Sequence, residues 1–175
     1  MAGVKWQRFR LDIPTEYGPR ERQAIAGEVI DFILKRTKAG VDVNGQQFQK
    51  YSKKYMKSRD FRIGGKSGKV DLTLSGDMLS AVDLLSHKKG TLLIGIPQGD
   101  HENNAKATGN QEGTYGNPRP VTKPRRFLGI QKKDVSAILA KYPIDDPGER
   151  SDRVNLMETI NEESEKTVRG VRVEK

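Results

Sequence analysis

The amphipathic segment that begins at Arg20 constrains the fold more than any other part of the sequence. Its apolar side chains recur at the spacing of one helix face, at Ile25, Val29, Phe32 and Ile33. Pro19 suits the first turn of a helix, and Gly40 suits its end. The pattern therefore predicts a long N-terminal helix that buries one face against another element.

Alternating apolar residues predict short strands around this helix. We predict strands over residues 4–13 and 70–74, and a hairpin that joins residues 81–86 to residues 91–96. Short helical segments are expected over residues 48–55 and 132–142. Residues 98–118 are rich in Gly, Asn, Glu and Gln, and predict a long loop, at most partly helical around residues 102–108. Together these elements indicate an α+β domain, with the long helix packed on a mostly antiparallel sheet.

The charge changes sign along the chain, which carries +9 overall. Residues 144–175 hold nine acidic and six basic side chains, whereas residues 1–143 hold 14 acidic and 26 basic ones. We therefore divide the chain into an α+β domain over residues 1–143 and a C-terminal extension over residues 144–175. The extension is expected either to become ordered against a partner or to stay mobile.

Composition limits both the core and the chemistry. Only 34% of the residues are hydrophobic, so the core is expected to be modest and some apolar surface is expected to serve neighbouring subunits. The absence of cysteine excludes disulfides, thiolate zinc sites and cysteine nucleophiles, and two histidines are too few for most metal sites. No apolar stretch has the length of a membrane span or a signal peptide, so we expect no membrane association.

Two segments invite an enzymatic interpretation, and neither fits. In GGKSGK, Gly64 and Gly68 are four residues apart instead of five, and Val70 stands where a phosphate-binding loop needs Ser or Thr. The run of Asp100, His101 and Glu102 does not form a metal-binding set on a single face. We predict no catalytic residues, no cofactor and no metal, and hence a protein that is not an enzyme.

A basic stretch over residues 50–69 is more informative. It contains eight Lys or Arg residues and a single acid, Asp60, with three aromatic residues between them. Lysines around a helical turn can follow a phosphate backbone without reading bases. The alternative is an ordinary solvated surface over aromatic core anchors. The candidates for contact with DNA in a channel are Lys50, Lys53, Lys54 and Lys57.

The segment RPVTKPRRFLGI, residues 119–130, predicts a semi-rigid cationic arm. Proline restricts its own φ and favours an extended predecessor, so the arm should project its charges and lose little entropy on docking. Phe127 and Leu128 are expected to anchor its end in the core. A charged surface loop is the alternative. The candidates for a subunit interface are Arg119, Lys123, Arg125, Arg126, Phe127 and Leu128.

Several segments occur in an order that resembles the virion-morphogenesis, or tail-completion, family of tailed bacteriophages. They are NGQQFQKYSKKYMK, LTLSGDMLSAVDL, TLLIGIP, KATGNQEG, RPVTKPRRFLGI and KKDVSAIL. The resemblance covers roughly residues 20–142, and its motifs correspond to residues 44–55, 75–81 and 124–129. Residues 115–123 are longer than in the family pattern, and the acidic extension lies outside it.

The resemblance implies a structural protein that forms a homo-oligomeric ring, commonly a hexamer, at the head–tail junction of the virion. Its expected partners are connector or stopper proteins, tail-terminator or tail-tube proteins, and packaged DNA. Assembly would take place in the host cytoplasm. Three alternatives stay open: a tail-terminator ring that caps the tail tube, a non-specific DNA-binding protein, and an enzyme that acts on DNA or cell wall.

Overall fold

The structure, a computed structural model, describes residues 5–63, 70–73, 76–114 and 123–144, and structural statements below concern those residues. The chain divides into two units, Met1–Tyr142 and Pro143–Lys175. Only the first two residues of the second unit are described. Nearly all of the predicted C-terminal extension and residues 119–122 of the arm lie outside the described residues.

The described part of the first unit is an α+β fold, as predicted. Its strands form an antiparallel sheet in the order β1-β3-β2. In chain order the elements are β1 Arg8–Asp12, α1 Pro19–Lys38, α2 Lys53–Met56, α3 Arg59–Ile63, α4 Asp77–Ser80, β2 Asp83–Ser86, β3 Thr91–Gly95, α5 His101–Glu112 and α6 Lys132–Leu139.

Helix α1 supplies one side of the core and the sheet supplies the other. Ile25, Val29 and Ile33 are fully buried on the face that the sequence pattern predicted, and α1 packs against β2 and β3. Leu92 and Ile94 of β3 are also fully buried. Because side chains two apart on a strand share a face, this side of the sheet faces the helix. The predicted packing of the long helix on the sheet is confirmed.

The end of α6 is fixed to α1 through Glu28. Lys141 Nζ donates a hydrogen bond to Glu28 Oε2 at 2.5 Å, and the Tyr142 hydroxyl donates one to Oε1 at 2.8 Å. The Tyr17 hydroxyl in turn donates to the Tyr142 carbonyl at 2.9 Å. The side-chain hydrogen bonds from Lys141 and then Tyr142 hold the pKa of Glu28 below its usual value.

The predicted strand over residues 70–74 is wrong for its described part. Residues 70–73 form no strand, and Leu72 has a φ of 55°, in the left-handed region and outside the φ range of a regular strand. Val70 and Leu72 are nevertheless buried in the core. Their alternation with polar residues therefore reflects two separate anchors of a loop, and not the regular alternation of a strand.

The predicted long loop over residues 98–118 is wrong for most of its described part, because helix α5 spans His101–Glu112 and extends beyond the partly helical residues 102–108 that were expected. The Asp100 carboxylate caps the helix by accepting a hydrogen bond from the Asn103 backbone N–H at 3.1 Å. Asn104 is 1% exposed, and its amide nitrogen donates to the carbonyls of Pro97 and Asp100, both at 2.8 Å. The buried face of α5 consists of Asn, Ala and Gly residues, so hydrophobic spacing does not reveal the helix.

Candidate nucleic-acid and subunit interface

The lysine segment, residues 50–63, turns its aromatic side chains inward and its basic side chains outward. The ring centroids of Tyr51, Tyr55 and Phe61 lie 5.1 to 5.7 Å from one another. Ser52 Oγ caps α2 by accepting a hydrogen bond from the Tyr55 N–H at 3.1 Å. The side chains predicted to contact DNA are all exposed: Lys50, Lys53, Lys54 and Lys57. This arrangement fits both the phosphate-binding and the solvated-surface interpretations.

Arg125 does not project from the arm, contrary to the sequence prediction. Its side chain is 6% exposed, and Nη2 donates a hydrogen bond to the Gln49 carbonyl at 3.2 Å. The guanidinium carbon lies 5.1 Å from the centroid of the Tyr51 ring, within the range of a cation–π interaction. The carbonyl and the aromatic ring replace part of the hydration that burial removes, so Arg125 is part of the fold.

Burial changes the chemistry of the aromatic partner as well. It raises the pKa of Tyr51 to about 12, with a further increase from Asp71 and an opposing effect from Arg125. The phenol therefore stays neutral at physiological pH. A neutral ring beside a buried guanidinium acts as a packing and cation–π partner and not as the second half of an ion pair.

The end of the arm is anchored in the core, as the sequence indicates. Phe127 is fully buried and Leu128 is 8% exposed. Arg36 Nη2 donates hydrogen bonds to the carbonyls of Phe127 and Gly129, at 2.5 and 3.0 Å. The side chains of Phe127 and Leu128 therefore pack inside the subunit. They leave almost no exposed surface for the predicted contact with a neighbouring subunit.

The arm and the lysine segment meet at Gln49. The Lys123 N–H donates a hydrogen bond to Gln49 Oε1 at 3.2 Å, and Arg125 binds the carbonyl of the same residue. Lys123 and Arg126 are exposed, whereas Arg119 lies outside the described residues. The sequence treats the arm and the lysines as two separate candidates, and the structure brings them together.

The three motif segments of the phage resemblance, residues 44–55, 75–81 and 124–129, are linked by one chain of contacts that passes through Asn110. Gln49 of the first segment binds Arg125 of the third. The Arg125 N–H donates to the Asn110 carbonyl at 2.6 Å, and the Asn110 amide lies 3.5 Å from the sulfur of Met78 in the second segment. Sequence reasoning missed Gln49 and Asn110, because both are polar residues within polar stretches and nothing in their spacing marks them as junctions.

The described residues offer neither a metal-binding group of side chains nor a membrane-spanning helix. Among the described residues, no group of three or more His, Asp or Glu side chains is placed to hold a metal ion. The Asp100 carboxylate, one of the metal candidates weighed above, accepts hydrogen bonds from the side chain and the backbone of Asn103, which lower its pKa. No helix in the described ranges is long and apolar enough to cross a membrane.

Comparison of the chain with models of protein families, with curated proteins and with solved structures finds no match.

Proposed function

We propose that the chain is a structural, non-enzymatic subunit of a ring at the head–tail junction of a tailed phage, where it completes the tail or joins it to the head. The proposal starts from the resemblance of residues 20–142 to the tail-completion family. The observation that carries it further is that the three resembling segments meet through Gln49, Arg125, Asn110 and Met78.

Shared packing gives a physical reason why the three segments would occur together. The buried Arg125 side chain binds the Gln49 carbonyl and the buried Asn110 side chain contacts the Met78 sulfur, so a change in either side chain removes a contact between segments, while a backbone hydrogen bond joins Arg125 to Asn110. Segments linked in this way constrain one another's sequence. A chance likeness of three short stretches would require no contact between them.

The exposed residues suggest how subunits and DNA would be arranged. In a closed ring the same head-to-tail contact repeats between neighbours, so one surface of each subunit meets a different surface of the next. The ring, which we expect to be a hexamer, would bind connector or stopper proteins on one side and tail-terminator or tail-tube proteins on the other. The exposed lysines of residues 50–57 would face DNA in the central channel.

An amber codon in the phage gene tests this proposal. In a non-suppressing host, the lysate should contain filled heads and separate tails by electron microscopy, because the joint between them is incomplete. In a suppressing host, joined particles should return. Normal joined and infectious particles in the non-suppressing host would contradict the proposed role.

The exposure of Lys50, Lys53, Lys54 and Lys57 also favours a second candidate, a non-specific DNA-binding protein outside the virion. The two functions differ in where the chain is found. A DNA-binding protein of this kind would be absent from purified particles, and its loss would leave heads and tails joined.

A further inference from the structure

We infer that the lysine segment and the arm form one continuous surface that binds the phosphate backbone of duplex DNA. The inference rests on the proposed function, since it extends the DNA contact to further residues and assigns the arm to it. We define the cationic surface by its exposed members: Lys50, Lys53, Lys54, Lys57, Arg59, Arg62, Lys123 and Arg126.

Continuity of this surface follows from the junction at Gln49. Six of the eight cations lie within residues 50–62, and the other two flank Arg125. Gln49, which immediately precedes the lysine segment, accepts hydrogen bonds from the Lys123 N–H and from the Arg125 guanidinium. The arm is therefore held beside the lysine segment by its own backbone and by a buried side chain.

Few acids lie beside the cationic surface, and Asp71, which raises the pKa of Tyr51, is the one that approaches its aromatic support. Asp60 is the only carboxylate within residues 44–63, and residues 123–131 contain none. The ion pairs found among the described residues are formed by other side chains. The positive charges of these Lys and Arg side chains repel one another in the free protein, and a bound polyanion relieves this repulsion.

The backbone beneath these cations is already ordered. The aromatic cluster of Tyr51, Tyr55 and Phe61 supports the lysine segment, and the buried Arg125 supports the arm. Binding would therefore order only the long side chains and not the main chain. A preordered site loses less conformational entropy when it binds.

Duplex DNA fits this surface better than an acidic protein does. DNA presents one negative charge for about every 1.7 Å of its axis, so its backbone can pair with many exposed cations without any apolar contact. Protein interfaces usually have an apolar core. The exposed large apolar side chains here are Met56, at 37%, and Ile63, at 72%, and two such side chains do not make that core.

The test measures how DNA binding depends on salt. Full-length protein is titrated into a fluorescent duplex of about 30 base pairs at about 50 to 200 mM KCl. Three proteins are compared: wild type, the arm variant K123Q/R126Q, and the control K88Q/K89Q. The control removes the same charge from two exposed lysines in the turn between β2 and β3.

The inference predicts a less steep salt dependence for the arm variant only. Each phosphate contact contributes about −0.9 to the slope of log K against log salt, so losing two contacts should change the slope by about 1.8. Over this fourfold range of salt, the change corresponds to about 12-fold in relative affinity. The control variant should retain the wild-type slope.

Two results would overturn the inference. If the arm variant keeps the wild-type slope, the arm does not contact phosphate. If wild type binds polyglutamate more tightly than DNA, the partner is an acidic protein. Neither result bears on whether heads and tails join, so the failure of this inference and the failure of the proposed function can be told apart.

Discussion

Replacement of Arg125 by alanine should destabilise the fold, although arginine is the residue type that sequence reasoning places at a surface. The variant loses a charged hydrogen bond to the Gln49 carbonyl, worth about 1.5–3 kcal/mol. It also loses the cation–π contact with Tyr51, worth about 0.5–2 kcal/mol. We expect the free energy of unfolding to fall by about 3 kcal/mol, which lowers the Tm of a chain of this size by about 6–12 °C.

The measurement is urea and thermal unfolding of the full-length protein, followed by circular dichroism. Arg126→Ala is the matched control, since its side chain is exposed and its loss should change the free energy of unfolding by less than about 0.5 kcal/mol. Equal Tm values for the two variants would refute the structural role of Arg125. A large loss of unfolding free energy in Arg126→Ala but not in Arg125→Ala would show that Arg126, and not Arg125, is the structural side chain.

Three further perturbations test other contacts. Glu28, whose pKa is held low by the side chains after α6, contributes stability that is present above its unfolded pKa and is lost as the pH falls through its folded pKa. Glu28→Gln should therefore have a lower urea midpoint than wild type at neutral pH, and the difference should shrink and disappear as the pH falls through the lowered pKa of Glu28; a difference that does not change with pH would contradict this. Asn104→Ala leaves the buried Gln7 N–H without its partner, whereas the Pro97 and Asp100 carbonyls keep backbone hydrogen bonds, so the free energy of unfolding should fall by about 1–3 kcal/mol; a loss below about 0.5 kcal/mol in urea would argue against this. Gly95→Ala places a Cβ 2.4 Å from a backbone oxygen beside β1 and should lower the Tm, whereas Gly99→Ala meets nothing within 4 Å and should leave it unchanged.

The parts of the fold that could be predicted are those with apolar periodicity. Helix α1 and the β2–β3 hairpin follow from regular spacing, because their buried positions carry aliphatic side chains. Helix α5 could not be found in this way, since its buried face uses Asn104 and Asn110, which are held by hydrogen bonds. The unusual φ of Leu72 is equally invisible in a pattern that alternates like a strand.

In the candidate surface, too, some features follow from residue type and others depend on tertiary contacts. Exposure of the lysines and burial of Phe127 follow from residue type, since a charged side chain favours water and an aromatic one favours the core. Burial of Arg125 depends on Gln49 and Tyr51, which lie more than 70 residues away in the chain. Only the tertiary structure shows that the arm and the lysine segment are neighbours.

Copy number in the particle tests the proposed ring most directly. Quantitative mass spectrometry of purified virions, calibrated against the major tail protein and combined with the native mass of the isolated neck, gives the number of these 19.6 kDa chains. A closed ring has a fixed number of subunits, and the family resemblance implies about six or about twelve copies for each particle. Absence of the chain from purified virions, or a variable trace amount, would contradict it.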